Sequence, residues 1–267
     1  MSDAGAQGAA APSARGGDTA SAVAHLAGVA APDLLAADLD GTLLGRSGDP
    51  LAPGIRASLR GIIEAGVTFC ICTGRPSVLA GAAAEALGAD RGFAIAYGGA
   101  ETSELAGGRV SARVVVPPPA LLAVQNVADT FDCAVHVHDS PAGPLRIVLS
   151  GRPGDIDHAI VALQAAAGDR VGVQRPSADV IAVQAAAATK ENALAALAEH
   201  LGILPAAVAY FGDAADDVPA LAWAGLGVAV GDGRGVAAAA ADVAVLPSAV
   251  PEILTCLALA RRRRGSA

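Results

Sequence analysis

Aromatic residues are scarce in this chain: they make up 3% of its 267 residues, with one tryptophan and one methionine. A core must therefore be assembled mainly from Val, Ile, Leu and Ala. Positive charge is also short. The formal net charge is −8 and the sequence pI about 5.0, which argues against nonspecific nucleic-acid binding. Hydrophobic residues reach 53%, but much of that is alanine, and no apolar run is long enough to span a membrane. The four cysteines, Cys70, Cys72, Cys133 and Cys256, lack zinc-ligand spacing. Cys70 and Cys72 fall inside an apolar strand pattern and read as buried thiols, which fits a cytoplasmic protein. Residues 1–30 are rich in Ala, Gly and Ser, without a basic n-region or a continuous apolar h-region. They read as a flexible leader and not as a secretory signal.

Against these absences stands one dense feature, LLAADLDGTLL, from Leu34 to Leu44. Its apolar part reads as a buried strand. The strand ends in two aspartates one residue apart, Asp38 and Asp40, followed by Gly41 and Thr42. Like charges that close repel, and both lose hydration. A cation resolves this, and a site rich in oxygen suits magnesium. A carboxylate held there can also attack phosphorus. The competing reading is an acidic loop, with the aspartates as turn former and helix cap.

Strand-like and helix-like segments alternate around this run. Strands are expected at 34–38, 67–72, 93–97, 208–211, 226–230 and 243–246. Helices are expected at about 51–63, 76–87, 189–201 and 218–224, and from 249 onward. The pattern predicts an α/β fold: a Rossmann-like parallel sheet with helices on both faces. From 101 the rhythm changes to paired strands separated by helices, which predicts an inserted α+β cap. The expected division is a leader at 1–30, a core at 31–100 and 186–260, a cap at 101–185, and a basic tail at 261–267. The arginines of that tail complement the dipole of the last helix.

Three further polar clusters fall where parallel strands end. Thr73-Gly74-Arg75 offers a hydroxyl and exposed amides suited to phosphate oxygens, or a plain helix cap. Lys190 follows Thr189 at a helix start, where its charge opposes the dipole. A nearby anion would explain it, and so would solvent. GDAADD, Gly212 to Asp217, places three acids after another strand. If that strand neighbours the first, its acids meet Asp38 and Asp40, and without a metal such a cluster would be strongly destabilising.

In this order the pieces resemble the haloacid dehalogenase superfamily of phosphotransferases, closest to its Cof-type branch with a C2-type cap. DLDGT, the threonine of TGR, Lys190 and GDAADD look like its four motifs. The branch signal lies in Ala96–Ala100, Thr189–Ile203 and Tyr210–Gly233. The resemblance implies that Asp38 is the nucleophile and forms an aspartyl-phosphate, and that Asp40 is the acid and then the base. Thr73, Gly74 and Lys190 would hold the phosphoryl oxygens. Magnesium would be bound by Asp38, the backbone carbonyl of Asp40, and Asp213, with Asp217 supporting the metal shell or Lys190. Three positions depart from the pattern: Asp216 replaces an asparagine, Gly98 replaces the asparagine of an NGA stretch, and Gly231-Asp232 replaces a GN pair. In the expected cap, His136 and His138 share a strand face. With Arg146 and Asp216 they are the candidates for selecting the substrate.

The leading function is thus a magnesium-dependent phosphatase for a small phosphorylated metabolite, with sugar phosphates favoured. A sugar phosphomutase of the same superfamily, a receiver-like phospho-acceptor and a catalytically silent binding protein are the alternatives. No nucleic-acid or membrane partner is expected, and the sequence leaves the oligomeric state open.

Overall fold

The structure is a computed structural model that describes residues 19–26, 29–45 and 52–265. Most of the expected leader, the helix start expected at Leu51, and the last two residues of the basic tail lie outside the described residues. The core opens with α1 (Thr19–Leu26), β1 (Leu34–Ala37), α2 (Ile55–Glu64), β2 (Thr68–Cys72), α3 (Ser77–Leu87), β3 (Phe93–Ala96), β4 (Glu101–Glu104) and β5 (Val110–Arg113). The insert follows as α4 (Pro118–Thr130), β6 (Ala134–His138), β7 (Arg146–Ser150), α5 (Pro153–Ala167), β8 (Val171–Ser177) and β9 (Val180–Ala185). The chain re-enters the core through α6 (Lys190–His200), β10 (Val208–Gly212), α7 (Val218–Trp223), β11 (Leu226–Val230), α8 (Val236–Ala240), β12 (Val243–Val245) and α9 (Val250–Arg264).

The core sheet has the order β12-β11-β10-β1-β2-β3-β4-β5 and is parallel from β12 to β3. This is the α/β fold expected from the alternation. β1 lies between β10 and β2 with helices over both faces of the sheet, so its residues form an unbroken apolar run. Leu35 and Ala37 pack among residues of α2, α3 and α9, while Leu34 and Ala36 pack among those of α6 and α7. The chain passes from β1 to β2 on one side and, after the insert, returns as β10 on the other side of β1. That makes the carboxyl end of β1 a topological switch point, where α/β sheets bind their ligands.

The expected boundary of the insert at 101 is corrected. β4 and β5 extend the core sheet as antiparallel strands, with Phe93 opposite Glu104 and Glu101 opposite Arg113. The turn at Tyr97–Gly99 folds the chain straight back, so β4 pairs locally with β3. The polar residues of the pair satisfy each other: Arg113 Nε donates to Glu101 Oε2 at 2.7 Å. The leader is also corrected over its described part. α1 is helical, and its Ala22 and Leu26 are buried in the cluster that includes α9 and β12. Alternating small and apolar residues gave it an apolar face that the composition concealed.

The insert has its own sheet, ordered β6-β7-β9-β8 and fully antiparallel. Ile147, Leu149, Ile181 and Val183 point to α4 and α5 and form its core. The alternation then puts His136, His138, Arg146, Gln184 and Gln174 on the opposite face. No helix among the described residues is long and apolar enough to cross a membrane.

Candidate active site

Asp38 continues β1 by one bond, its amide donating to Phe211 O at 2.9 Å. The chain then turns at Gly41, whose φ is 94°. A Cβ at this position would lie 2.3 Å from Asp213 Oδ2, so only glycine lets the two acidic loops approach. Thr42 Oγ1 donates to Asp213 Oδ1 at 3.0 Å. Carboxylate oxygens of Asp38, Asp213 and Asp217 lie within 4.8 Å of one another. The acids of β1 and β10 thus meet because the two strands are neighbours.

Lys190 joins them from α6, whose start is fixed by Thr189 accepting from Asn192 N at 3.1 Å. Its Nζ lies 2.8 Å from Asp38 Oδ1, 2.8 Å from Asp217 Oδ1 and 3.1 Å from Asp216 Oδ2. Burial opposes its charge, but Asp38, Asp217 and Asp216 outweigh burial and hold the ammonium above its usual range. Lys190 is the only lysine in the chain. That count was a sequence signal for its special role.

Asp217 is wholly buried and fully engaged. Its Oδ1 accepts from Lys190 and from Tyr210 Oη (2.6 Å), and its Oδ2 accepts from the amides of Asp213 (3.1 Å) and Ala214 (3.0 Å). A carboxylate has about four acceptor sites, so these donors account for all of them. Asp217 therefore fixes the lysine and the β10 loop while its carboxylate stays within 4.8 Å of those of Asp38 and Asp213. Tyr210 was missed in the sequence. A tyrosine on a buried strand needs a partner for its hydroxyl, and an acid five to seven residues on is within reach of the returning loop.

Thr73 is buried at the end of β2. Its Oγ1 accepts from Arg75 N at 3.1 Å, leaving its own proton to donate elsewhere. Gly74 O accepts from Arg146 Nη1 at 2.7 Å, tying the insert to this loop. Arg75, which the sequence placed in the motif without a role, clamps Asp40. Its Nε and Nη2 donate to Asp40 Oδ2 and Oδ1 at 2.8 and 2.5 Å, a bidentate pair that fixes the carboxylate's orientation.

The substrate-selecting candidates are brought together unequally. Arg146 is 9% exposed and its Nη2 donates to Gln184 Oε1 (2.8 Å) and Gln174 Oε1 (3.4 Å). Neither glutamine was singled out in the sequence, because their shared face follows from strand register. His138 sits 5.3 Å from the ring of Tyr97 and is half-buried, whereas His136 is exposed at 4.6 Å from His138. Burial, His136 and Arg146 hold His138 below the usual histidine range. A cavity of about 180 Å³ between insert and core is lined by Gly98, Gln174, Gln184, Lys190 and Asp216 among others. A wider surface groove of about 910 Å³ on the α2–α3 flank contains none of these groups.

The cluster is electrostatically strained without a cation. Asp38 is pushed from 3.8 up to about 7, mainly by burial and by Asp217 and Asp216, with Lys190 pulling it down. A raised acid binds its proton more tightly in the folded state, so its contribution to stability is complete below 3.8 and lost as pH rises through about 7. In chelator at pH 8, Asp38→Asn is therefore expected to be more stable than the parent by about 1–3 kcal/mol. At pH 4 the two should unfold together. Thermal melts at both pH values check this, and an Asn variant no more stable at pH 8 would contradict it.

A family model described as haloacid dehalogenase-like hydrolase matches residues 35–141 and 138–249. A haloacid dehalogenase-like hydrolase from Bacteroides thetaiotaomicron superposes with a TM-score of 0.75 at 21% identity, over 84% of this chain and 98% of that one. A Bacillus subtilis protein of the same description gives 0.70 at 18%, over 83% and 98%. A sugar phosphatase of HAD subclass IIB gives 0.67 at 18%, over 83% and 97%. One curated relative, a probable copper-transporting ATPase from Synechocystis, is 42% identical over 59 residues. That match spans 22% of this chain and only 8% of the ATPase. With its family model covering both core segments and the insert between them, the chain belongs to the haloacid dehalogenase-like hydrolases.

Proposed function

We propose that this hydrolase is a magnesium-dependent phosphatase acting on a small phosphorylated metabolite, with a sugar phosphate as the favoured class. The observation that carries the reading is Asp38: a buried carboxylate with one oxygen on Lys190, grouped within 4.8 Å with carboxylate oxygens of Asp213 and Asp217. The likeness to a sugar phosphatase supports the substrate class. The free cysteines suit action in a reducing compartment, the cytoplasm.

In this reading Asp38 attacks phosphorus and becomes an aspartyl-phosphate. Lys190 and the free Thr73 proton bind the equatorial oxygens, and Gly74 adds its amide. Asp40, held by Arg75, gives a proton to the leaving oxygen and then takes one from the water that hydrolyses the intermediate. The donor set fits magnesium: hard oxygens of Asp38 and Asp213, joined by the backbone carbonyl of Asp40, in a cluster whose acids repel without a cation. Such an ion supplies charge stabilisation to the phosphoryl oxygens.

Phosphate release is expected to vanish in EDTA and return with magnesium. Calcium should inhibit, since its longer and looser coordination spoils in-line geometry. A screen of phosphorylated metabolites with magnesium tests the substrate class. Full turnover in chelator, or no turnover of any phosphomonoester, would overturn the reading. His138→Ala is expected to change kcat/KM for a preferred metabolite more than for p-nitrophenyl phosphate, and more than His136→Ala does, because His138 is the one packed against Tyr97. Equal effects on both substrates would remove His138 from substrate selection.

A further inference from the structure

Two of the chain's three departures from its family pattern, Gly98 and Asp216, line one cavity. Gly98 has φ 65°, and a Cβ there would come within 3.0 Å of Arg146 Nη2 and 3.2 Å of Gln184 Nε2. The bare position thus makes room for a guanidinium that the insert lowers onto the core. Arg146 is nine-tenths buried, yet its hydrogen-bond acceptors are neutral: Gly74 O, Gln184 Oε1 and Gln174 Oε1. Its Nε has no partner at all. Burial weakens its charge, and the largest attraction opposing that is to Asp216.

Asp216 is the other departure. It lines the 180 Å³ cavity on the core side, together with Lys190, while Gln174 and Gln184, the two partners of Arg146, line it on the insert side. Its side chain is 39% exposed and shares Lys190 with two other acids. The cavity therefore has a carboxylate acceptor on one wall and, on the other, amides backed by a cation. Gln184 spends its Nε2 on Ala188 O and Gly98 O, so the Gln174 amide is the one that can donate to a hydroxyl which itself donates to Asp216. The charge balance points the same way. Lys190, Arg75 and Arg146, with one divalent cation, only offset Asp38, Asp40, Asp213, Asp216 and Asp217. A phosphoryl dianion already leaves the cleft negative, and a second anion would face Asp216 directly.

We infer that Asp216 is a specificity-determining residue which, opposite Arg146, admits a neutral polyhydroxy leaving group and rejects one that carries a second anion. This rests on the phosphatase reading and narrows it: an asparagine at this position could not reject an anion by charge, so the filter belongs to this chain's own sequence.

The test uses a matched pair, sorbitol 6-phosphate and 6-phosphogluconate, whose open chains differ by a hydroxymethyl against a carboxylate. Their kcat/KM values are measured with magnesium at low salt. Where turnover is slow, their inhibition constants against p-nitrophenyl phosphate replace them. The parent enzyme is expected to favour the neutral compound by about tenfold or more, the effect of one nearby charge at partial screening. Asp216→Asn should shrink that ratio about tenfold, and Arg146→Gln should enlarge it. Added salt should shrink it in the parent and not in Asp216→Asn. Should Arg146→Gln fail to fold, the isosteric Asp216→Asn and the salt series decide alone. A parent ratio near one or favouring the acid, or a ratio unmoved by Asp216→Asn, overturns the filter while leaving the phosphatase standing. A chain that hydrolyses no phosphomonoester, p-nitrophenyl phosphate included, overturns both.

Discussion

Asp38→Asn is expected to abolish phosphate release, a loss of about four orders of magnitude or more, as for removal of other covalent nucleophiles. An amide nitrogen or oxygen at this position cannot form the acyl-phosphate, and nothing else within reach can replace it. Asp40 is held in the bidentate grip of Arg75, and Asp217 has both oxygens engaged by four donors. Thermal melts under the assay conditions separate this loss from unfolding, and in chelator at pH 8 the same change is expected to stabilise, since burial and neighbouring acids push Asp38 up to about 7. Inactivity in a protein at least as stable as its parent is the signature. The contrast is Asp40→Asn, which should lose about 10²–10⁴-fold on an alkyl phosphate and much less on p-nitrophenyl phosphate, whose leaving group departs without a proton.

The second large effect is on folding. Asp217→Ala is expected to destabilise the protein by about 3–5 kcal/mol. It takes one of three acids from a buried ammonium and leaves a buried tyrosine hydroxyl and two loop amides without their acceptor at one stroke. Asp217→Asn keeps the shape but can satisfy fewer donors, so it should fall between. Chemical denaturation of the metal-loaded proteins measures both. Tyr210→Phe removes one bond of the four and should cost about 1 kcal/mol. An Asp217→Ala protein within 1 kcal/mol of its parent would show that the carboxylate does not organise the site.

How far the sequence could be read depended on the range of the interaction. Asp38, Thr73 and Asp213 could be picked out because each follows an apolar strand, and parallel strands in one sheet deliver their ends to one edge. The strand alternation gave the sheet for the same reason. Lys190, which opens α6 after the insert's β9, was picked out by a positive charge at a helix start. The assignment of 101–113 to the insert failed because a polar hairpin looks the same whichever sheet it joins. Only the turn at Tyr97–Gly99 decides that it folds back on β3. The Arg75–Asp40 clamp and the Tyr210–Asp217 bond link residues whose side-chain directions no local pattern fixes. Arg146 was a candidate from its strand, but its burial depends on Gly98, 48 positions earlier, having no side chain. For Asp217 the resemblance left support of the metal shell and support of Lys190 both open; its carboxylate accepts from Lys190 and three other donors, and one of its oxygens also lies within 4.8 Å of those of Asp38 and Asp213.

The central claim is that the phosphoryl group passes through Asp38. Borohydride added during turnover reduces an aspartyl-phosphate to homoserine, and peptide mass spectrometry locates it. The account predicts homoserine at position 38, dependent on substrate and magnesium, and at no other aspartate. Steady phosphate release with residue 38 unmodified, or with the label on Asp40, Asp213 or Asp217, would contradict it.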